Sequence, residues 1–467
     1  MNEKQLIRQA VVDAPTGLLD APQPFDPLLP QLTNGMLATW MSMPELQANF
    51  DIATQAGRKG LRAWCQNARV RDRGVMGRFE LKLDELRALI GIKEGSRERP
   101  LIPGANLLGY SRGVLGMGEH VRMSARAMMA ADVPCGVVDF SLGLGKRTQK
   151  TKREFPIIHG NPHRCNIFHI NADQMVRAYW YLGSSFFQSR YSIGYWAWEL
   201  AECPTVWRPV MALVDEIWAP SRFVQRAFAP FTRKPVKHMP LCVELPNFRC
   251  MSRTEFGWES EDFVFCFTMD CHSYVLRKNP LSIIRSFKAA FEPSKRVKLV
   301  IKVMNADPAD PHWCDLLNEA ASDSRIQIID QTWSRERTLG LISSCDCYVS
   351  LHRSEGFGRG PAEAMLLGKP VIVTDYSGTQ DYCRNSNSLL VSYQMVDLGP
   401  NDYPFSDGQQ WAEPNVAEAA KYMRRVFDNR DFARSLGEAG RKTVAQEFSA
   451  EAIGRRYKAR LVELDMM

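Results

Sequence analysis

The residues best suited to chemistry lie in a glycine-rich segment that runs from residue 350 to residue 375. Gly356, Gly358 and Gly360 are followed by Pro361, a residue that is common at the first position of a helix. Glycine lets the backbone approach a ligand closely, and the free amides at a helix N-terminus attract anions. The pattern therefore predicts a phosphate-binding loop that leads into a helix.

Two acidic residues flank this loop. Glu355 precedes the glycines, Glu363 falls in the first turn of the predicted helix, and Arg359 between them could donate to a phosphate. Carboxylates repel phosphate but can accept hydrogen bonds from two neighbouring hydroxyl groups. A phosphate cradle beside diol-binding carboxylates is typical of a nucleotide-sugar site. An acidic helix start beside a flexible loop would explain each part separately, but it would not explain their coincidence.

The segment resembles the donor-site signature of family-4 retaining glycosyltransferases. This resemblance implies the GT-B fold, in which two Rossmann-like, doubly wound α/β domains face a cleft. It also implies that Glu363 holds the ribose hydroxyls and that Glu355 contacts the transferred sugar. Phe357 and Gly358 would then border the sugar and the diphosphate, with Arg359 beside them.

The same resemblance extends to two loops that follow predicted strands of the second half. Lys278, with Arg277 beside it, matches the position of basic residues on the leaving diphosphate, where departing charge needs a nearby cation. The family commonly has another basic residue six positions earlier, where this chain has His272. Whether His272 or Arg277 assists Lys278 stays open. The loop from Asp330 to Trp333 is expected near the nucleotide base.

Loops of the first half provide weaker candidates. Gly116 and Gly118 lie in a glycine-rich loop similar to the one that reaches across the cleft to the donor phosphates, although glycines at a helix start often serve packing alone. His169 and Glu199 follow predicted strands and are candidates for contact with the transferred sugar. A hydrogen-bonded structural histidine is the alternative for His169. No pair of aspartates suited to a divalent metal is apparent, so we expect neither a metal nor a cofactor.

Secondary structure must position these loops at one edge of a sheet. Beyond about residue 104, short apolar runs alternate with helical segments, a pattern typical of parallel sheets wrapped by helices. The predicted strands cover residues 106–109, 136–140, 166–170, 192–196 and 216–219 in the first half, and 263–268, 298–303, 326–329, 347–351, 370–374 and 389–392 in the second.

These patterns divide the chain into four regions. We predict a mostly helical N-terminal extension at residues 1–99, outside the family resemblance, and an acceptor-side domain at 100–246. A donor-binding domain follows at 247–450. An amphipathic helix at 451–467 is expected to cross back to the first domain, as in GT-B enzymes.

Composition and charge limit the class of protein. The 467 residues are 45% hydrophobic and 24% charged, which is ordinary globular composition, and the formal net charge is +7. Residues 57–99 contain twelve basic and six acidic residues, and residues 146–153 are also basic. Such patches suit an anionic membrane, a phosphorylated ligand or a solvated helix face. We expect a cytoplasmic protein that binds no nucleic acid, with peripheral attachment to the inner face of a membrane as an open alternative.

The predicted activity is transfer of a hexose-type sugar from a nucleotide diphosphate sugar to an acceptor hydroxyl, with retention at the anomeric carbon. Glycans and lipid-linked sugars are the expected acceptors, in bacterial-type polysaccharide or glycoconjugate assembly. A nucleotide-sugar epimerase or a phosphorylase on the same fold is one alternative. A non-catalytic scaffold that binds nucleotide sugars is another.

Overall fold

The computed structural model describes residues 32, 36, 40, 44–52, 54–71, 100–140, 155–158, 160–182, 186–293, 296–400 and 402–467. Two parallel sheets, each of six strands and each wrapped by helices, make up most of this part of the chain. The arrangement confirms the predicted doubly wound α/β architecture. Within the described ranges, no helix is long and apolar enough to cross a bilayer.

The first domain is built on a sheet with the strand order β2-β1-β3-β4-β5-β6. Its strands are β1 (Ile102–Gly109), β2 (Cys135–Asp139), β3 (His163–His169), β4 (Tyr191–Tyr195), β5 (Glu216–Ala219) and β6 (Val236–His238). The helices that precede or connect them are α1 (Pro44–Asn49), α2 (Gln55–Arg71), α3 (Gly116–Ala130), α4 (Met175–Leu182) and α5 (Arg222–Phe228). The short edge strand β6 was not predicted, because its three residues are all only half-buried.

The second domain is built on a sheet with the strand order β12-β11-β10-β7-β8-β9. Its strands are β7 (Phe263–Asp270), β8 (Val297–Met304), β9 (Ile326–Asp330), β10 (Cys347–Ser350), β11 (Val371–Thr374) and β12 (Leu389–Val391). The helices are α6 (Val275–Lys278), α7 (Pro280–Ala290), α8 (Pro311–Ala321), α9 (Arg335–Ser344), α10 (Arg359–Leu366), α11 (Val416–Asp428) and α12 (Arg430–Glu447). Strands β10 and β11 are buried along their whole length, so they read in the sequence as continuous apolar runs.

An antiparallel hairpin of β13 (Tyr393–Asp397) and β14 (Gln410–Pro414) follows the second sheet and was not predicted. Most residues of β13 are exposed, so the strand lacks the apolar run that marks its neighbours. The tip of the hairpin instead reaches the first domain, where Tyr403 and Phe405 join the aromatic cluster that contains Trp198.

The last helix, α13 (Ala450–Glu463), packs against α3 of the first domain. The Tyr457 hydroxyl lies 3.1 Å from that of Tyr195, and the Arg460 Nε donates to the fully buried Glu216 at 3.0 Å. A side chain at Gly454 would collide with the backbone of α3 at Ala127, so this position needs glycine. The chain thus returns to the first domain after completing the second.

Part of the N-terminal extension also packs on the first domain. Leu32, Leu46 and Leu61 are buried and belong to the same apolar cluster as Phe168 of β3. These residues therefore favour a packed cap over a free surface for the described part of the extension. The predicted apolar face at residues 81–90 and most of the basic residues of 57–99 lie outside the described residues.

We expect the substitution Leu61→Ala to lower the free energy of unfolding by about 2–5 kcal/mol, because it leaves a cavity in this cluster. Urea-induced unfolding measures the loss. Leu317→Ala is the matched control, since Leu317 is 40% exposed and should cost far less. Equal effects of the two substitutions would contradict the packing of the extension on the first domain.

Candidate functional site

A cavity of about 750 Å³ lies between the two domains, at the carboxyl ends of strands from both sheets. This is the edge at which open parallel sheets bind ligands, and the volume suits a small molecule. From the predicted site, the cavity is lined by Gly116, Glu199, Arg277, Lys278, Glu355, Phe357, Gly358, Arg359 and Glu363, and also by His272.

Glu355, in the loop after β10, is the centre of a buried ion-pair cluster. Its Oε1 lies 2.5 Å from the Lys278 Nζ and its Oε2 lies 3.3 Å from the Arg277 Nη1. Burial alone would raise the pKa of Glu355, but the two cations outweigh burial and lower the pKa to about 2. Glu355 is therefore a carboxylate at neutral pH, with its charge balanced by Lys278 and Arg277.

Arg277 is held rigidly by several partners. Its Nη1 also donates to the Ser354 carbonyl at 2.8 Å, and its guanidinium lies 5.7 Å from the centre of the Tyr403 ring. Burial alone would lower the pKa of Arg277, but Glu355 raises it above the usual value. Lys278 is more accessible, so Lys278 is the better placed of the two to meet a ligand phosphate.

The phosphate-binding loop predicted before α10 has the backbone that its glycines allow. Gly358 has a φ of 85°, and a Cβ there would come within 2.8 Å of the Tyr382 hydroxyl, which donates to the Gly358 carbonyl. Phe357 packs against Tyr382 at a ring distance of 5.3 Å. Tyr382 thus holds the loop in place, and the backbone amides of the loop lie directly before the N-terminus of α10.

Glu363 lies in the first turns of α10 and is almost completely buried. Arg335, at the start of α9, donates to both of its carboxylate oxygens, one of them at 2.9 Å, and the Arg359 Nη1 lies 3.6 Å away. Each carboxylate oxygen has two lone pairs, so these contacts leave capacity to accept from the hydroxyls of a diol.

Arg335 also links the two domains, because its Nε lies 3.7 Å from the Glu119 Oε1 in α3. Burial alone would raise the pKa of Glu119, but Arg335, Arg359 and Arg122 outweigh burial and lower it to about 2. Neither Glu119 nor Arg335 was predicted from the sequence as a site residue. The only signals were their positions, directly after Gly118 and shortly after β9.

The structure places three predicted residues away from the cavity lining. His169 is completely buried, and the neighbouring His120, with its ring centre 4.7 Å away, lines the cavity in its place. Burial lowers the pKa of both histidines, to about 3 for His169, so both are neutral. Gly118 serves packing, since a Cβ there would meet the Gly113 carbonyl. Asp330 is exposed outside the cavity.

Two other predicted residues do face the cavity. A Cβ at Gly116 would meet no protein atom within 4 Å, so this glycine leaves open space rather than serving packing. Glu199 is bound twice by the second domain: its carbonyl accepts from the Ser354 hydroxyl, and its Oε2 accepts from the Tyr403 hydroxyl at 2.9 Å. Trp333, from the loop expected near the base, also lines the cavity.

No group of three or more His, Cys, Asp or Glu residues that could hold a metal ion occurs in the part of the chain that the structure describes. Cationic side chains also line the cavity and are available to an anionic ligand. Those that line it are Arg122, Arg277, Lys278, Lys302, Arg335 and Arg359.

Comparison with known families identifies the second domain. Residues 272–443 match the family model described as Glycosyl transferases group 1. The second domain is a glycosyltransferase group 1 domain. The matched range includes Lys278, Glu355 and Glu363, so the predicted donor side of the cavity lies within this domain. A search of curated proteins gave no match.

Solved structures confirm the predicted GT-B fold. HepE of Anabaena, crystallised with UDP and glucose, aligns with a TM-score of 0.57 and 15% identity, over 78% of this chain and all of that one. Sucrose-phosphate synthase of Thermosynechococcus elongatus aligns with a TM-score of 0.55 and 15% identity, over 78% and 99%. The N-terminal domain of Candida albicans trehalose-6-phosphate phosphatase gives 0.52 and 10%, over 79% and 99%.

We expect the ion pairs of Glu355 to make stability depend on pH. The folded pKa of about 2 lies below the unfolded value of about 4.3, so their contribution is complete above pH 4.3 and is lost as the pH falls towards 2. Between pH 5 and pH 3, wild-type protein should lose about 1.5 kcal/mol more than Glu355→Gln. Urea-induced unfolding followed by tryptophan fluorescence measures both.

Glu438→Gln is the control for this experiment, because Glu438 is an exposed residue of α12. It should follow the wild-type pH dependence. A Glu355→Gln variant that loses stability in parallel with the wild type would show that the carboxylate is not stabilised by Lys278 and Arg277.

Proposed function

We propose that this chain is a retaining glycosyltransferase that transfers a sugar from a nucleotide diphosphate sugar to an acceptor hydroxyl. The observation that supports this most is the pairing, within one cavity, of the Glu355–Lys278–Arg277 cluster with Glu363 at the N-terminal end of α10. The Glu355–Lys278–Arg277 cluster suits a sugar with a departing phosphate, and Glu363 suits the hydroxyls of a ribose. The glycosyltransferase group 1 domain contains both.

The donor in this proposal is held from both domains. Glu363 accepts from the ribose hydroxyls, while the amides before α10 and the side chain of Arg359 face the diphosphate. Gly116 leaves room on the first-domain side of the cavity for the same phosphates. HepE of Anabaena, whose fold is similar, was crystallised with UDP-glucose, which fits a nucleotide-sugar ligand for a cleft of this type.

The reaction we propose breaks the bond between the anomeric carbon and the diphosphate oxygen and forms one to the acceptor oxygen on the same face of the sugar. The acceptor proton passes to the leaving phosphate. Lys278 stabilises the negative charge that develops on that phosphate, and Glu355 orients Lys278 through their 2.5 Å contact. No metal and no further cofactor enter this scheme.

Acceptors in this proposal are glycans or lipid-linked sugars, and the donated group is a hexose. HepE was crystallised with UDP and glucose, which is compatible with this assignment. The cytoplasmic location, the role in bacterial-type polysaccharide or glycoconjugate assembly and the contact with an anionic membrane stay predictions from the sequence.

We expect Glu363→Ala to weaken binding of the nucleotide-sugar donor about tenfold or more, because a charged hydrogen bond contributes about 1.5–3 kcal/mol. A screen of uridine-, guanosine- and adenosine-diphosphate sugars first identifies the donor, and calorimetric titration then gives its dissociation constant. Glu336→Ala is the control, since Glu336 is an exposed glutamate beside Arg335. Unchanged affinity for the nucleotide-sugar donor in a folded Glu363→Ala variant would contradict the assignment of the ribose site.

We expect Lys278→Ala to lower kcat by about 10²–10³ at saturating donor while changing donor affinity less, because the leaving phosphate gains charge only as the bond breaks. Nucleotide release in the presence of acceptor measures kcat. Lys442→Ala, at an exposed lysine of α12, serves as the control. Wild-type turnover in Lys278→Ala would move the phosphate contact to His272 or Arg277.

The same assay separates the alternatives. A glycosyltransferase releases the nucleotide diphosphate in step with an acceptor, whereas an epimerase converts the donor without an acceptor. A phosphorylase would consume or produce a sugar phosphate. A scaffold would bind the donor and release nothing.

A further inference from the structure

One wall of the cavity is not used by the donor site proposed above. It is formed by the loops after β3 and β4, by the tip of the β13–β14 hairpin and by the residue before α6. Its lining residues are Asn171, Asp173, Gln174, Trp198, Glu199, Tyr274, Tyr403 and Phe405. We call these residues the aromatic wall.

The aromatic wall is a built surface, because its parts are fixed to one another across the two domains. Tyr403 donates to Glu199 at 2.9 Å, and its ring lies 5.8 Å from that of Trp198. Phe405 packs edge-on against Trp207 at 5.8 Å. The loops after β3 and β4 are joined by the Asn171 side chain, which accepts from the backbone amide of Ala197 at 3.2 Å.

Tyr274 is the most exposed aromatic residue of the wall. Its side chain is 41% exposed, yet its backbone has a φ of 66°, which is costly for a residue with a bulky side chain. Its ring lies 4.7 Å from that of Tyr403, at the edge of the cavity. An exposed aromatic ring held in strained backbone beside a cleft suits contact with a ligand, and a flat ring face suits the apolar face of a pyranose.

Charge defines what the wall can bind. All six cavity-lining lysines and arginines come from α3 or from the second domain before the hairpin. Arg277, which lies against the Tyr403 ring of the wall, is already paired with Glu355. Its two charged members, Asp173 and Glu199, are acidic and offer no positive charge to a phosphate or a carboxylate. Carboxylates and amides do accept hydrogen bonds from hydroxyl groups. Aromatic rings with carboxylates and amides are a combination that suits an uncharged sugar.

We propose that the aromatic wall is the acceptor subsite and that it binds a neutral saccharide, stacked on Tyr274 and hydrogen-bonded to Glu199 and Asp173. This inference rests on the proposed function. The acceptor hydroxyl forms the bond to the anomeric carbon, and its proton leaves with the diphosphate of the donor. A phosphorylated sugar or a prenyl phosphate is excluded from direct contact with the wall.

The test compares neutral with charged acceptors in the full-length protein. Methyl glycosides of glucose, galactose, mannose and N-acetylglucosamine are assayed beside the corresponding sugar 6-phosphates and a prenyl phosphate, with nucleotide release from the donor as the readout. At least one neutral glycoside should stimulate release, and its 6-phosphate should stimulate it about tenfold less or not at all. Stimulation by the phosphates alone, or by none of these compounds, overturns the proposal.

Two substitutions test whether the aromatic wall binds the neutral acceptor. Tyr274→Ala should raise the KM for the neutral glycoside roughly tenfold, since it removes the apolar face on which the sugar stacks. Tyr393→Ala is the matched control, because Tyr393 is an equally exposed tyrosine on β13 that does not line the cavity. A KM in Tyr274→Ala equal to that of the control also overturns the proposal.

Donor titration keeps the two proposals apart. If the wild type binds no nucleotide sugar, the proposed function itself fails. If the donor binds and Glu363→Ala weakens it, but the acceptor results contradict the expectation, only the assignment of the aromatic wall fails.

Discussion

The burial of opposite charges in the cleft is the constraint on which the site depends. Glu355 is only 7% exposed and lies in contact with Lys278 and Arg277, the latter almost completely buried. An ion placed alone at such a depth would cost several kcal/mol, and removal of one partner leaves the other uncompensated. The loop after β10 and the short helix α6 therefore cannot move apart without a large penalty. Apolar packing, which is less directional, would tolerate larger shifts.

The backbone of the second domain is shaped to meet this constraint. Tyr274 and Asn279, on either side of α6, both have positive φ values, and the Asn279 side chain accepts from the Ser282 amide at the start of α7. These conformations are unfavourable on their own. They direct a four-residue helix so that Arg277 and Lys278 both reach Glu355. The positive φ values and the ion pairs are thus parts of one arrangement around α6.

The sequence predicted the parts of the fold in which one physical signal dominates. Central strands such as β10 and β11 are buried on both faces, so continuous apolar runs mark them within one or two residues. The hairpin β13–β14 and the edge strand β6 are half-exposed, and their composition does not distinguish them from loops. Their stability comes from contacts with the rest of the fold, which a single segment does not reveal.

The candidate site also contains residues that the sequence predicts and residues that only the tertiary structure reveals. Glu355 and Glu363 flank a glycine-rich loop, so a local pattern was enough to predict them, and Lys278 was predicted from the family resemblance. The pairing of Arg335 with Glu119 joins two domains, and no local pattern predicts it. His169 was predicted because it follows a predicted strand, whereas His120 was not predicted. Which ring faces the cavity depends on the packing of α3 over the sheet, and that is a tertiary property.

The hairpin tip makes the donor side and the aromatic wall depend on the same domain arrangement. Tyr403 belongs to the second domain, yet its hydroxyl binds Glu199 of the first. The Ser221 hydroxyl, at the N-terminus of α5, donates to the Gly356 carbonyl at 2.6 Å in the phosphate-binding loop. Each hydrogen bond contributes roughly 0.5–1.5 kcal/mol net, so the two together stabilise the observed arrangement of the domains only moderately. Separation of the two domains would break the Tyr403–Glu199 and Ser221–Gly356 hydrogen bonds together. The aromatic wall and the contact of the phosphate-binding loop with the first domain therefore form in the same arrangement of the domains.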